Sequence, residues 1–311
     1  MKQRKNPATK NQKYLAIFLA VTMFLSAFLI YFTASSKTDD DNLSTSGTNS
    51  GTNASFVTVP FSQVQGKQVH HEFNSIADGL NMSPQGVTTA LFVDLQKTEG
   101  TPLETVFGNK QTMNVSFSYG ADVTKRYSAN YGNKTGFELH EIPEQKINVP
   151  MDTKVMPYNG YQILDRTNGT YNIWNVVGSP AIIGPIDTVA SVINVLDGNE
   201  TSTTEFNGVL SQADLEGNIY QEVVKKTNTS DIPAEQYYSD LRKLDDGSYV
   251  QTSIFLNPEP EVNKKITAYQ ANSSERGVTY NVTTLDNITK LVISSDFESV
   301  YNESSMLNLS R

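Results

Sequence analysis

The sequence contains no cysteine and only three histidines among its 311 residues. The lack of cysteine excludes disulfide bonds, thiolate zinc sites, iron–sulfur clusters and cysteine nucleophiles. It also excludes a lipid anchor attached through a cysteine thiol. Any chemistry must therefore rely on oxygen ligands, hydroxyl groups or the histidines His70, His71 and His140.

Positive charge is scarce beyond the N-terminus, and the formal net charge of the chain is −9. Residues 34–311 carry 19 basic and 33 acidic groups, a net charge of −14. An acidic surface repels nucleic acid and anionic lipid headgroups, so no nucleic-acid partner is expected. The first 13 residues are the exception because they contain five basic residues and no acid: Lys2, Arg4, Lys5, Lys10 and Lys13.

A long apolar run follows the basic tail. Leu15 to Phe32 form 18 uncharged residues, which as a helix extend roughly 27 Å, close to the thickness of a bilayer core. The sequence thus predicts a cytoplasmic tail over 1–13 and a transmembrane helix over 14–33. Because the basic residues precede the span, the N-terminus is expected in the cytoplasm and the C-terminal body outside the cell. The chain is thus predicted to be a single-pass protein of the cell membrane. A cleaved signal peptide is the alternative, but signal cores usually have only about 7 to 15 residues.

Residues 34–55 consist almost entirely of Ser, Thr, Asn, Asp and Gly. Such a segment has too little apolar surface to offset the entropy of ordering, so it predicts a flexible stalk. The remaining 256 residues are enough for one large domain or two ordinary ones. Prolines from Pro143 to Pro157 favour a division into extracellular domains at 56–150 and 151–311.

The acceptor pattern for N-linked glycans, Asn-x-Ser/Thr, occurs 13 times. With 28 Asn and 60 Ser plus Thr, chance predicts roughly five occurrences, and the excess favours real glycosylation over unused triplets. Asn81 is the weakest because Pro84 follows its Ser83. The predicted glycosylation sites are Asn42, Asn53, Asn114, Asn133, Asn168, Asn199, Asn228, Asn272, Asn281, Asn287, Asn302 and Asn308.

Apolar residues at every second position predict strands over 87–95, 112–119 and 278–283, with Asn114 and Asn281 on the polar side of the last two. Further strands are expected at 137–142 and 248–256. Helical spacing after Pro185 predicts a helix that ends before Gly198. A second short helix is expected around Phe206 to Leu210, and the polar stretch 233–244 resembles a helix. We therefore expect an α+β body, with antiparallel sheets and helices packed on one face.

The segment from Gly160 to Val224 contains WNVVGSPAIIGPIDTVASVINVLDGN followed by TTEFNGVLSQA. This segment resembles part of uncharacterised membrane-anchored extracytoplasmic proteins of archaea and bacteria. The resemblance covers about a fifth of the chain and implies a strand hairpin, a helix and a second short helix. It supplies no catalytic residue. The combination of many glycosylation motifs with no cysteine also suggests an archaeal envelope protein more than a eukaryotic one.

Two histidine-containing motifs are candidates for an active site. In VHHEF (69–73), helical spacing of the apolar residues predicts an amphipathic helix, on which His70 and His71 cannot bind one metal ion together. In HEIPE (140–144), Glu144 replaces the second histidine of a zinc-protease motif and Pro143 would break its helix. No catalytic residue, metal ligand or cofactor is therefore predicted.

Two classes of function remain open. The first is a non-enzymatic surface glycoprotein that binds another envelope protein or polymer, with the bilayer contacted only through Leu15 to Phe32. The second is a membrane-tethered hydrolase that acts on envelope sugars or peptides through acidic residues. The absence of a histidine- or serine-centred motif favours the first.

Overall fold

The computed structural model describes residues 56–107, 119–132, 136–166, 173–228 and 232–307. The predicted tail, transmembrane helix and stalk lie outside these residues. Within the described ranges, no helix is both long and apolar enough to cross a membrane.

Strands dominate the described part of the chain. They are β1 (Phe56–Pro60), β2 (Val69–His70), β3 (Thr89–Asp94), β4 (Lys125–Asn130), β5 (Phe137–Glu141), β6 (Lys146–Pro150), β7 (Val155–Tyr158), β8 (Tyr161–Asp165), β9 (Trp174–Val176), β10 (Gly178–Ser179), β11 (Ala181–Gly184), β12 (Tyr220–Lys225), β13 (Gln236–Lys243), β14 (Tyr249–Leu256), β15 (Thr279–Leu285) and β16 (Ile288–Ser295).

The helices are mostly short. They are α1 (Ile76–Asn81), α2 (Leu95–Thr98), α3 (Glu104–Phe107), α4 (Ile186–Leu196), α5 (Asn207–Leu210), α6 (Pro260–Gln270) and α7 (Phe297–Leu307), with 3₁₀ turns at Phe61–Gln63 and Ser274–Arg276.

Twelve strands of the described residues form one antiparallel sheet in the order β15-β16-β14-β13-β12-β3-β4-β5-β11-β9-β8-β7. Two small pairings, β1 with β6 and β10 with β2, lie beside it. The expected α+β body was therefore wrong, because the described part is mostly β-sheet with few helices.

The polar stretch 233–244 explains part of this error, because most of it forms the central strand β13 and not a helix. Several of its polar side chains are hydrogen-bonded across or along the sheet. The Tyr238 hydroxyl donates to Asp240 Oδ2 at 2.8 Å, and the Tyr237 hydroxyl lies 3.3 Å from Ser253 Oγ. Tertiary partners thus override a polar pattern that suggests an exposed helix.

Apolar side chains form a core on each face of the large sheet. The first face is the one covered by α2, α3, α6 and α7, which contribute residues such as Phe107, Ile266 and Val300. The second face is covered by α1, α4 and α5, with Ile76 and Val192 among its buried residues. The expectation of helices on a single face was therefore wrong as well.

Within the large sheet of the described residues, strand pairing crosses the predicted division at residue 150 twice. β12 pairs with β3, and β11 pairs with β5. The sheet is therefore continuous through residues from both predicted domains. Whether 56–150 and 151–311 behave as separate domains stays a prediction.

Candidate functional site

The VHHEF segment belongs to the core of the second face through its apolar residues. Val69 and Phe73 are buried, and the Phe73 ring packs edge-on against Phe92 with ring centroids 5.4 Å apart. The predicted helix was wrong over its first half, because Val69–His70 form β2 and helix α1 begins at Ile76. His70 and His71 are exposed.

VHHEF contacts the Gly178-Ser179-Pro180 turn. Gly178 and Ser179 pair in parallel with Val69 and His70. A Cβ atom at Gly178 would lie 2.5 Å from the Val69 Cβ, so glycine is required for this approach. The Ser179 hydroxyl donates to the Glu141 carboxylate at 2.9 and 3.0 Å. Both motifs are therefore engaged in packing and structural hydrogen bonds.

The third histidine lies in a polar network on the first face. His140 Nε2 is 2.8 Å from Glu138 Oε2, and its Nδ1 is 3.2 Å from the Tyr119 hydroxyl. Asn175 Nδ2 donates to the Tyr119 hydroxyl at 3.2 Å and to the Ile182 carbonyl at 2.8 Å. HEIPE thus begins in strand β5, and no group of three potential metal ligands occurs within the described residues.

Charge in this network is concentrated on Glu138. Burial raises the pKa of the Glu138 carboxyl, but the Arg126 guanidinium and a hydrogen bond from His140 outweigh burial and lower it below its ordinary value. Glu138 is therefore ionised at neutral pH. Tyr119 is buried, and desolvation raises its pKa, so its hydroxyl stays protonated.

A second carboxyl on the first face behaves in the opposite way. Burial raises the pKa of Glu222, in β12, to about 7. The hydroxyl groups of Tyr237 and Ser239 lie on neighbouring positions of the same face. Glu222 therefore titrates near neutral pH. This carboxyl was not identified from the sequence, because its pKa shift depends on strands that are distant along the chain.

Glu138 and Glu222 lie in one cross-strand row. Glu222 pairs with Leu91, Leu91 with Ser128, and Ser128 with Glu138. Three strand spacings separate the two glutamates, or about 14 Å between their backbones. Side chains stand roughly perpendicular to a sheet, so the carboxyl groups stay far apart. Glycoside hydrolases use carboxyl pairs separated by about 5 to 9.5 Å, which this row does not provide.

Six of the twelve predicted glycosylation sites lie in described residues, and all six asparagines are exposed: Asn199, Asn228, Asn272, Asn281, Asn287 and Asn302. The other six lie outside the described residues: Asn42, Asn53, Asn114, Asn133, Asn168 and Asn308. Asn81, the weakest motif, is also exposed, but its Ser83 is buried and bonded to the Tyr127 hydroxyl at 2.7 Å. Exposure permits a glycan at an asparagine and does not demonstrate one.

A groove with a volume of about 350 Å³ lies on the second face at the outer end of the sheet, and we call it the edge groove. It is formed by β15, β16 and the segment after α5. Lys290 Nζ donates to the Gln212 carbonyl at 2.7 Å and closes one side. The lining residues include Gln212, Asn281, Thr283, Leu285, Ile288 and Lys290.

The described body is thus an antiparallel β-sheet protein with a buried polar network and an open groove at one edge. A family model described as a family N-terminal domain, from an uncharacterised family, matches residues 72–197. No curated protein and no solved structure matches the chain. The match confirms that this part of the chain resembles a domain of unknown function, and it does not extend to a membrane anchor.

Proposed function

We propose that the protein is a membrane-anchored extracytoplasmic surface glycoprotein whose body is a non-enzymatic module that binds an envelope protein or polymer. The observation that carries the proposal is the excess of glycosylation motifs, together with the exposure of all six predicted sites that lie in described residues. Folded bodies accept N-linked glycans only at exposed positions. The basic tail and apolar run before residue 34 support a single-pass topology.

One observation weighs against a particular form of the hydrolase alternative. A tethered hydrolase that acts on sugars through acidic residues needs two carboxyl groups at a short distance on either side of the glycosidic bond. Glu138 and Glu222 are two carboxyl groups on one face whose pKa values are shifted in opposite directions. Their separation of about 14 Å argues against this pair as an acid and nucleophile.

Intact-glycopeptide mass spectrometry of the protein from its own membrane tests the glycoprotein proposal. We expect glycans at Asn114 and Asn281, which the sequence places on the polar side of strands. Unmodified asparagine at both positions, with good peptide coverage, would remove the glycoprotein claim. Crosslinking of intact cells followed by affinity capture then identifies the bound envelope component.

Glu222→Gln and Glu138→Gln separate binding from hydrolysis. The proposal predicts no hydrolytic activity of the wild-type protein against envelope polysaccharides and peptides, and hence no loss in either variant. Release of sugars or peptides by the wild type that disappears in one of the two variants would favour the hydrolase instead. An exposed glutamate, Glu216, provides the matched control as Glu216→Gln.

A further inference from the structure

The two edges of the large sheet differ in how they are protected. β7, at one edge, contains Pro157, which cannot donate a backbone hydrogen bond. β15, at the other, has the sequence TYNVTTL and contains neither a charged residue nor a proline over its seven residues. Within the described part of the chain, β15 has a strand neighbour on one side only. Uncharged edges of this length pair readily with other chains unless something covers them.

The edge groove lies directly against this strand. Asn281 and Thr283, the first and third residues of one glycosylation motif, both line the groove, and both are exposed. Leu285, on the same side of β15, is 58% exposed. The groove thus combines a glycan acceptor, an uncovered apolar side chain and polar groups of Gln212 and Lys290.

We propose that an N-linked glycan on Asn281 occupies the edge groove and prevents β15 from pairing with β15 of a second copy of the chain. This inference rests on the proposed function as a surface glycoprotein. A glycan of several sugars suits the groove because the C–H faces of its rings can cover Leu285 and Ile288 while its hydroxyl groups bond to Gln212 and Lys290.

The attachment reaction requires a lipid-linked oligosaccharide as the donor. The Asn281 side-chain nitrogen forms a bond to the anomeric carbon of the first sugar. The bond between that carbon and the phosphate oxygen of the lipid carrier breaks, and the carrier phosphate keeps the electron pair. One amide proton is released, which balances the charge.

The other motifs in the described residues do not combine these features. Asn287 lies in the turn after β15, and its Thr289 is buried and donates to Asn263 Oδ1 at 3.0 Å. Asn272 is exposed in the segment after α6, away from the edge groove. Among the motifs in described residues, the one at Asn281 is therefore the one whose asparagine lines the groove.

Four versions of the full chain, made in an N-glycosylating host and extracted in detergent, test the inference. The first is the wild type. Thr283→Ala removes the motif at Asn281, and Thr283→Ser keeps that motif. Ser274→Ala removes the motif at Asn272 and serves as a control. Glycopeptide mass spectrometry measures occupancy at each site, and size-exclusion chromatography with light scattering measures the protein mass. A fifth version, Thr283→Ala with Thr284→Lys, places a charge on the bare edge.

We expect the wild type, Thr283→Ser and Ser274→Ala to be monomeric, with Asn281 occupied in all three. Thr283→Ala should have about twice the protein mass or more, because isologous pairing of one edge gives a dimer. The added lysine should restore the monomer, since charge on an edge strand opposes pairing.

Three outcomes would overturn the inference. Glycans at other sites, including Asn114, with Asn281 bare, or a monomeric Thr283→Ala, would refute it and leave the glycoprotein proposal standing. Self-association of Thr283→Ala that the lysine does not reverse would exclude edge pairing as the cause. A wild type without a glycan at any site would refute the inference and the glycoprotein proposal together.

Discussion

Replacement of Glu222 by glutamine should stabilise the protein at high pH and leave it unchanged at low pH. Burial raises the pKa of this carboxyl from 4.5 to about 7 in the folded state. The folded protein therefore holds a proton that the unfolded chain releases between about pH 4.5 and 7, so this group lowers the free energy of unfolding as pH rises through that window. Below the window, both forms are protonated and the contribution vanishes.

The magnitude follows from the size of the pKa change. A difference between 4.5 and about 7 corresponds to about 3.4 kcal/mol above pH 7. Glu222 is partly exposed, and solvent screening reduces this figure to about 2 kcal/mol. Glutamine has nearly the same shape but carries no charge, so Glu222→Gln should recover about 2 kcal/mol at pH 8 and about zero at pH 4.

Thermal unfolding followed by circular dichroism at pH 4, 6 and 8 measures this difference in the full chain. Asp240 also has a raised pKa, about 6, but it is present in both proteins and its contribution cancels. Glu216→Gln, at an exposed position, should stay within about 0.5 kcal/mol at every pH. A difference between wild type and Glu222→Gln that is the same at pH 4 and pH 8 would refute the reasoning.

Three further predictions concern the core, the histidines and the topology. Phe73→Ala should cost about 3 kcal/mol in a thermal melt because it removes a buried ring that packs on Phe92; a loss below about 1 kcal/mol would contradict this packing. His70→Ala and His71→Ala should each stay within about 1 kcal/mol, and a chelator-induced fall in melting temperature that disappears in either variant would reveal a metal site. Protease added to intact cells should digest the chain from about residue 34 onward, and a protected body would contradict the predicted topology.

Local patterns in the sequence were sufficient to predict many of the elements. Apolar residues at every second position in 87–95 predicted the strand β3, because a strand with one well-buried face has a period of two. The strand predicted at 248–256 corresponds to β14. Helical spacing between Pro185 and Gly198 predicted a helix, which the structure has as Ile186–Leu196. Alternation in 278–283 also placed Asn281 on the polar side of its strand, where the structure has it exposed. These features depend on residues that are close along the chain.

The tertiary structure alone decided how the elements combine. The order of twelve strands, the identity of β13 as a strand and the helices on both faces depend on pairings between distant segments. Such pairings leave no periodic signal in a single sequence. The shifted pKa of Glu222 has the same origin, because it results from burial by strands that are remote in sequence. The edge groove also depends on the tertiary structure. The glycosylation motif at Asn281 is recognisable from three consecutive residues, but it lies beside Gln212 only in the folded chain.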